Sequence, residues 1–283
     1  MMFINPKTDY AFKKIFGSSE SKDILISFLN ALIYDGNPTI EDLEIIILNL
    51  PPKAEGLQDS SMDVKAKLQD DTLVIIEIQV LNIQSFGKRV FYNAANTYAF
   101  QLQSVQAYRL LEPVITLTIT DFEMFPENEK FISRFVLKEV KKNFTYPDKN
   151  LDLVFVELPK FTKQEHELET LADKWIYFIK NARSLTSVPE NMDNIPEIHK
   201  AFDLANQVNL SREETDDLNR IEQSIHDQQE AIVKAVQEGI EEGIQLDNLA
   251  IAQKLLPQLD NATISQVTGM SVEEVQNLRA VNS

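Results

Sequence analysis

Residues 61–80, SMDVKAKLQDDTLVIIEIQV, decide how this chain is read. Two runs with the alternation of strands flank Gln69-Asp70-Asp71, a polar triplet suited to a hairpin turn. Strand side chains alternate between faces, so Ser61, Asp63, Lys65 and Lys67 share one face of the first run, and Met62, Val64, Ala66 and Leu68 share the other. In the second run Glu77 and Gln79 share a face, opposite Ile76, Ile78 and Val80. A carboxylate and an amide therefore interrupt the most hydrophobic strand of the N-terminal half. If the runs pair, Asp63, Lys65, Glu77 and Gln79 converge on one patch.

Burying an unpaired carboxylate costs several kcal/mol or forces it to take up a proton, so two neighbouring acids require a cation. The chain has no cysteine and only three scattered histidines, His166, His199 and His226, which excludes disulfide frameworks, thiolate nucleophiles and Cys- or paired-His zinc sites. A metal here must be held by oxygen, which points to Mg²⁺ or Mn²⁺. Such an ion activates water and polarises a phosphoryl oxygen, with Lys65 or Gln79 orienting the water or stabilising developing charge. The spacing also accommodates an edge hairpin on which Asp63 and Glu77 face solvent and pair with Lys65 and Lys67.

Working outward, residues 22–34 place Ile24, Leu25, Phe28, Leu29 and Leu32 on one helical face, after a turn-rich opening at residues 9–17. Residues 41–52 read as a strand closed by two prolines, residues 85–111 as a long helix and residues 113–120 as a strand. Two further strands over 131–142 and 151–161 and a short helix over 171–182 complete a mixed sheet with packed helices, an α/β architecture. Trp175 reads as core. From residue 181 a loop leads into an acidic helix, in which EGIEEGI sets Gly239 and Gly243 four apart, marking a weak point, a hinge or a close helix contact. Residues 262–279 suggest two short helices around Gly269, joined through Ile264, Val267, Val272, Val275 and Leu278. The second of these offers mainly Glu273, Glu274, Gln276 and Asn277, which favours protein contact over DNA reading.

The 283 residues carry a net charge of −17, unfavourable for nucleic acid at first sight, and 43% hydrophobic content, enough for a core. The charge is uneven: residues 211–247 hold 11 acids against three bases. From Ile78 to Leu111 there is no acid at all, while Lys88, Arg89 and Arg109 are present. That segment suits a surface facing an anion, or equally a buried helix with few charges. No run is long enough to span a membrane and no leader precedes the first helix, so a cytoplasmic protein is expected.

An Asp on one strand with Glu-x-Gln in the next resembles the active-site signature of the PD-(D/E)XK nucleases, here Asp63 with Glu77 and Gln79. Together with TDYAFKKIFG, LISFLNALI, KRVFYNAANTYAFQL, AYRLLEPVITLTITDFEMF, VFVELPKF and WIYFIK, the chain is similar to the Rpn family of recombination-promoting nucleases and putative transposases within that superfamily. The resemblance implies a restriction-endonuclease-like core over residues 1–180, an acidic helical linker over 181–247 and a helix-turn-helix-like pair over 248–283. It implies a Mg²⁺-dependent DNA endonuclease serving recombination, transposition or defence against foreign DNA. Asp63, Glu77 and the carbonyl of Ile78 would bind the metal. Gln79 stands where the superfamily usually has lysine, which leaves Gln79 or Lys65 to position water. Arg89 and Tyr92, three apart on the next helix beside Lys88, match the family's Arg and Tyr and suit phosphate binding. Asp9 is either a third acid or a helix cap. The alternative is a catalytically silent scaffold that binds DNA or a protein partner; in either case a homo-oligomer through the C-terminal helices is expected.

Overall fold

The computed structural model describes residues 2–46, 64–102, 108–148 and 150–281. Two compact units divide the chain, Met1–Glu222 and Gln223–Ser283.

The first unit is built on six strands: β1 (Leu43–Ile46), β2 (Val64–Leu68), β3 (Leu73–Gln79), β4 (Val114–Thr120), β5 (Ile132–Phe135) and β6 (Leu151–Glu157), in the order β1-β2-β3-β4-β6-β5. β2 and β3 form the expected antiparallel hairpin, with Val64 opposite Ile76 and Lys65 opposite Ile75. Its turn is the Gln69-Asp70-Asp71 triplet: the N–H of Leu68 donates to the Thr72 carbonyl at 2.9 Å, and Asp71 takes a left-handed φ of 65°. A three-residue loop ending in a left-handed residue matches the twist of the strands it joins. β3 then runs parallel to β4, and β4 parallel to β6, whereas β5 returns antiparallel.

Parallel neighbours need a crossover, and α3 (Phe86–Ala99) supplies it between β3 and β4. This helix is shorter than the 85–111 span expected; Tyr108–Leu110 form a separate 3-10 turn. Residues 9–17, read from sequence as turn-rich, are instead mostly helical as α1 (Asp9–Phe16). Thr8 caps it, its hydroxyl accepting from the Ala11 N–H, so Asp9 sits in the first turn and is not the cap. Ala11, Phe12, Ile15 and Phe16 make its buried face. Gly17 ends the helix where a Cβ would lie 2.8 Å from the Lys13 carbonyl oxygen.

α2 (Lys22–Ile33) buries the five residues its spacing predicts. With α1, α4 (Leu171–Asn181) and α6 (Pro196–Ala205) it covers one sheet face, against Val74, Ile76, Ile78, Leu117, Ile119, Val154 and Val156. Trp175 is core, fully buried against Phe16 and Phe28 with its indole N–H on the Ser27 hydroxyl at 3.1 Å. A short helix, α5 (Glu190–Asp193), precedes α6. The opposite sheet face receives α3, through a smaller cluster of Phe86, Val90 and Phe155.

Helix α7 (Arg212–Leu255) runs 44 residues without a break at Gly239 or Gly243, where an added Cβ would meet open space among the described residues. Each glycine lowers helix stability by about 1 kcal/mol relative to alanine. Pairs four apart, such as Gln237 with Glu241 at 2.7 Å, act in the other direction. Within the second unit α8 (Asn261–Thr268) and α9 (Val272–Val281) meet at Gly269, which takes φ 72°. Ala252, Leu256, Ile264 and Val275 form its core, while Val267 and Val272 are exposed.

Candidate active site

The α3-facing side of the sheet is where polar side chains collect. The ladder sets Lys65, Ile75, Thr116 and Leu153 in one row across β2, β3, β4 and β6. The next row is Glu77, Thr118 and Phe155, and the last is Gln79, Thr120 and Glu157. β3 and β4 lie inside the sheet, so these groups are buried by position: Glu77 is 4% exposed, Gln79 9%, Thr116 3% and Thr118 1%. That excludes the solvent-facing edge hairpin for Glu77. Lys67 pairs locally with Asp71, not with Glu77.

Arg89 reaches down from the first turns of α3. One of its terminal nitrogens donates to Glu77 Oε1 at 2.6 Å and to Gln79 Oε1 at 2.7 Å, and the guanidinium lies 5.0 Å from the Phe86 ring. The amide of Gln79 donates to the Leu81 carbonyl at 2.8 Å, which fixes the direction of its oxygen. Burial raises the pKa of the Glu77 carboxyl above its ordinary value, and the Arg89 guanidinium opposes that shift. Just upstream of α3, Ser85 holds a left-handed φ of 68°, an unfavourable conformation for a residue with a side chain, at the junction between site strand and site helix.

The groups around this pair are poorly satisfied. Among the described residues, Arg89 Nε, Asn93 Nδ2, Thr116 Oγ1 and Thr118 Oγ1 are buried without a hydrogen-bond partner. Asn93 is one helical turn beyond Arg89 on the same side of α3. Each such orphan costs about 1–3 kcal/mol, and four of them on one face mark a place where polar atoms serve something other than the fold. Neither the threonines nor Asn93 stood out in the sequence. The signal was there, because TLTIT over residues 116–120 puts a hydroxyl at every second position of an otherwise apolar strand.

Asp63 lies outside the described residues. Lys65 lies on the same face as Glu77, one row away, and shares the row of Ile75. The side chain of Ile78 is in the main core, so its carbonyl alone is available to a site. Lys88 is exposed, and so is Tyr92 at 58%: the structure brings Arg89 to Glu77 and Gln79 but leaves Tyr92 on the outer side of α3. The first turn of α3 carries no acid, as the acid-free segment suggested. Asp9 pairs with Lys13 at 3.1 Å, four residues along its own helix.

A mixed six-stranded sheet flanked by helices, with a C-terminal helical stretch, is consistent with a PD-(D/E)XK-like fold. A family model described as PD-(D/E)XK nuclease family transposase matches residues 6–235, and the chain belongs to that family. No curated protein and no solved structure matches it. With membership comes a nuclease- and transposase-like function, and with a nuclease function DNA binding. Among the described residues no helix is long and apolar enough to cross a membrane.

Proteins of this family typically use divalent metals. The donors here suit one: all are hard oxygens, Glu77 is a buried carboxylate whose charge is met by a single arginine, and orphaned hydroxyls stand beside it. Among the described residues no cluster of three His, Asp or Glu surrounds it.

Proposed function

We propose that the protein is a divalent-metal-dependent DNA endonuclease that hydrolyses phosphodiester bonds in recombination, transposition or defence against foreign DNA, acting in the cytoplasm. The observation that carries this reading is the pair Glu77 and Gln79, buried side by side on the polar sheet face and gripped by one arginine. Asp63 and Glu77, with the carbonyl of Ile78, would hold Mg²⁺ or Mn²⁺. Asp63 directly precedes Val64, whose partner Ile76 directly precedes Glu77, which supports the two acids acting together. The bound ion supplies Lewis-acid activation of water and of the phosphoryl oxygen.

The chain's own residues do the rest. Arg89 is the counter-charge of Glu77 in the resting site, and on substrate binding its guanidinium donates to the scissile phosphate, with Lys88 and Tyr92 holding the flanking backbone. Gln79, its amide anchored on Leu81, keeps an acceptor oxygen toward the attacking water, and Lys65 from the neighbouring row stabilises charge developing on phosphate. The exposed row Ile232, Val236, Ile240 and Ile244 on α7 supports assembly of two copies through the C-terminal helices.

One observation favours a second reading. Arg89 already neutralises Glu77 without a metal, an arrangement that also suits a catalytically silent scaffold binding DNA or a partner. Supercoiled plasmid incubated with Mg²⁺, Mn²⁺, Ca²⁺ or EDTA separates the two. The enzyme nicks with Mg²⁺ or Mn²⁺ and loses about 100-fold or more in Asp63→Ala and Glu77→Ala, as for loss of a group stabilising the transition state. Equal nicking by wild type and both variants removes the hydrolytic reading.

A further inference from the structure

The strand expected over residues 131–142 ends early, and the reason is a projecting hairpin. β5 stops at Phe135, and residues 136–147 form an antiparallel arm before β6 begins. Lys138 bridges Thr145, the N–H of Tyr146 donates to the Leu137 carbonyl at 2.9 Å, and Glu139 donates to Phe144 at 2.9 Å. Asn143 closes the tip with φ 56°.

This pairing sorts the side chains. Lys138 and Thr145 share one side, so Leu137, Phe144 and Tyr146 share the other, in line with Phe135. All four are exposed, Phe144 at 54% and Tyr146 at 50%. Phe135 packs on Phe125 at 4.9 Å and Phe155 at 5.7 Å, which roots the arm on the sheet face that carries Glu77. Ser133 stands three ladder steps from Glu77 in the same row, roughly 15 Å at ~4.8 Å per strand.

The charge of the arm opposes that of the chain. In a molecule of net −17 it carries Lys138, Lys141 and Lys142 against Glu139 alone. The Glu139 carboxylate is turned inward, accepting from the backbone N–H of Lys141 at 2.9 Å and from that of Lys142. The three lysines are exposed and pair with no carboxylate among the described residues. Exposed rings on one side of the arm, with Lys141 and Lys142 at its tip and Lys138 on its other side, complement a strand of phosphates carrying planar bases in an otherwise acidic protein. Rings on a projecting arm reach base faces only where the bases are unpaired.

We propose that the 136–147 arm, rooted on the sheet face that carries Glu77, binds single-stranded or unpaired DNA, with Phe144 and Tyr146 stacking on bases and Lys138, Lys141 and Lys142 contacting phosphates. This rests on the nuclease reading and deepens it by naming the strand state of the substrate.

Fluorescence anisotropy of the full-length protein in EDTA, with a labelled 20-nucleotide oligo(dT) and a blunt duplex of equal length, tests it apart from cleavage. In Phe144→Ala/Tyr146→Ala the single strand binds about 10-fold or more weaker, since each stacked base is worth that order, and the duplex changes less than about 2-fold. Phe144→Trp/Tyr146→Trp restores single-strand binding, which a folding defect would not. Lys138→Ala/Lys141→Ala/Lys142→Ala weakens single-strand binding and lowers its salt slope by about 2. Unchanged single-strand binding in both variants, with wild type binding, overturns this proposal alone. So does an equal loss on single strand and duplex, or a change confined to oligomeric state in sedimentation, which would make the arm a protein interface. Wild type that binds neither probe overturns the nuclease reading with it.

Discussion

Two glutamates share one face of the sheet, two strands and one row apart, and the fold treats them in opposite ways. Glu157, at the end of β6, is fully buried and fully engaged: Oε1 accepts from the N–H groups of Met124 and Phe125 at 2.6 and 3.0 Å, and Oε2 from Lys160 at 2.8 Å. Lys160 in turn donates to the carbonyls of Phe125 and Asn128, both at 2.6 Å. The pair clips the 122–128 segment to the sheet, with both carboxylate oxygens engaged. Among the described residues Glu77 has one partner, Arg89, itself 29% exposed at the side chain, and is ringed by orphaned donors and hydroxyls. Burial alone therefore does not distinguish the two acids; the completeness of their partner sets does.

The largest predicted effect lies at the satisfied glutamate. Glu157→Gln keeps the shape but leaves the nearly buried Lys160 ammonium without its counter-charge, and breaking a buried pair from one side costs about 3–5 kcal/mol. A urea titration would register this as a lower midpoint with the slope unchanged. A loss below about 1 kcal/mol would remove the structural role given to Glu157.

At Glu77 the same exchange should do almost nothing to stability. In Glu77→Gln the amide oxygen still accepts from Arg89, whose charge remains in reach of water, and the desolvated carboxylate is gone. The midpoint is expected to move by less than about 1 kcal/mol, while metal-dependent nicking disappears. Losses as large as those at Glu157 would make Glu77 a second structural clip and erase the distinction between the two acids.

This distinction also marks how far the sequence could be read. Period-two alternation, together with a polar triplet at Gln69-Asp70-Asp71, gives the β2–β3 hairpin, and the face shared by Glu77 and Gln79 follows from it. Arg89 was legible too, because with Tyr92 it matches the Arg and Tyr of the family the chain resembles, in an acid-free helix that follows the acid. Alternation within one strand does not say which strand becomes its neighbour, so the hydroxyl periodicity of TLTIT marked a polar face on Thr116 and Thr118 but not its place: only the parallel β3–β4 register sets Thr118 beside Glu77. Glu157 was silent for the same reason, its partners being the backbone of a distant loop. Residues 9–17 read as turn-rich from the sequence, yet burial of Ala11, Phe12, Ile15 and Phe16 against the main core holds Asp9–Phe16 helical. Residues 136–142 read from the sequence as a continuation of the strand from Phe131, whereas in the structure they fold back on 143–147, with Lys138 bridging Thr145.

The smallest predicted effect sharpens the comparison from the other side. Thr118 Oγ1 is buried beside Glu77 with no partner, whereas Thr120, one row on, donates to the Phe122 carbonyl at 2.7 Å. Valine is close to threonine in shape, so Thr118→Val removes an unsatisfied hydroxyl and adds a methyl to a packed interface. It should stabilise the protein by up to about 1 kcal/mol, and Thr120→Val, which breaks a made bond and orphans a carbonyl, should destabilise it by about as much. Thermal melts of the two variants run side by side would show midpoints displaced in opposite directions. If both fall, the hydroxyl of Thr118 is satisfied in solution, and the polar face is then a sealed network in which Glu77 is as fully partnered as Glu157.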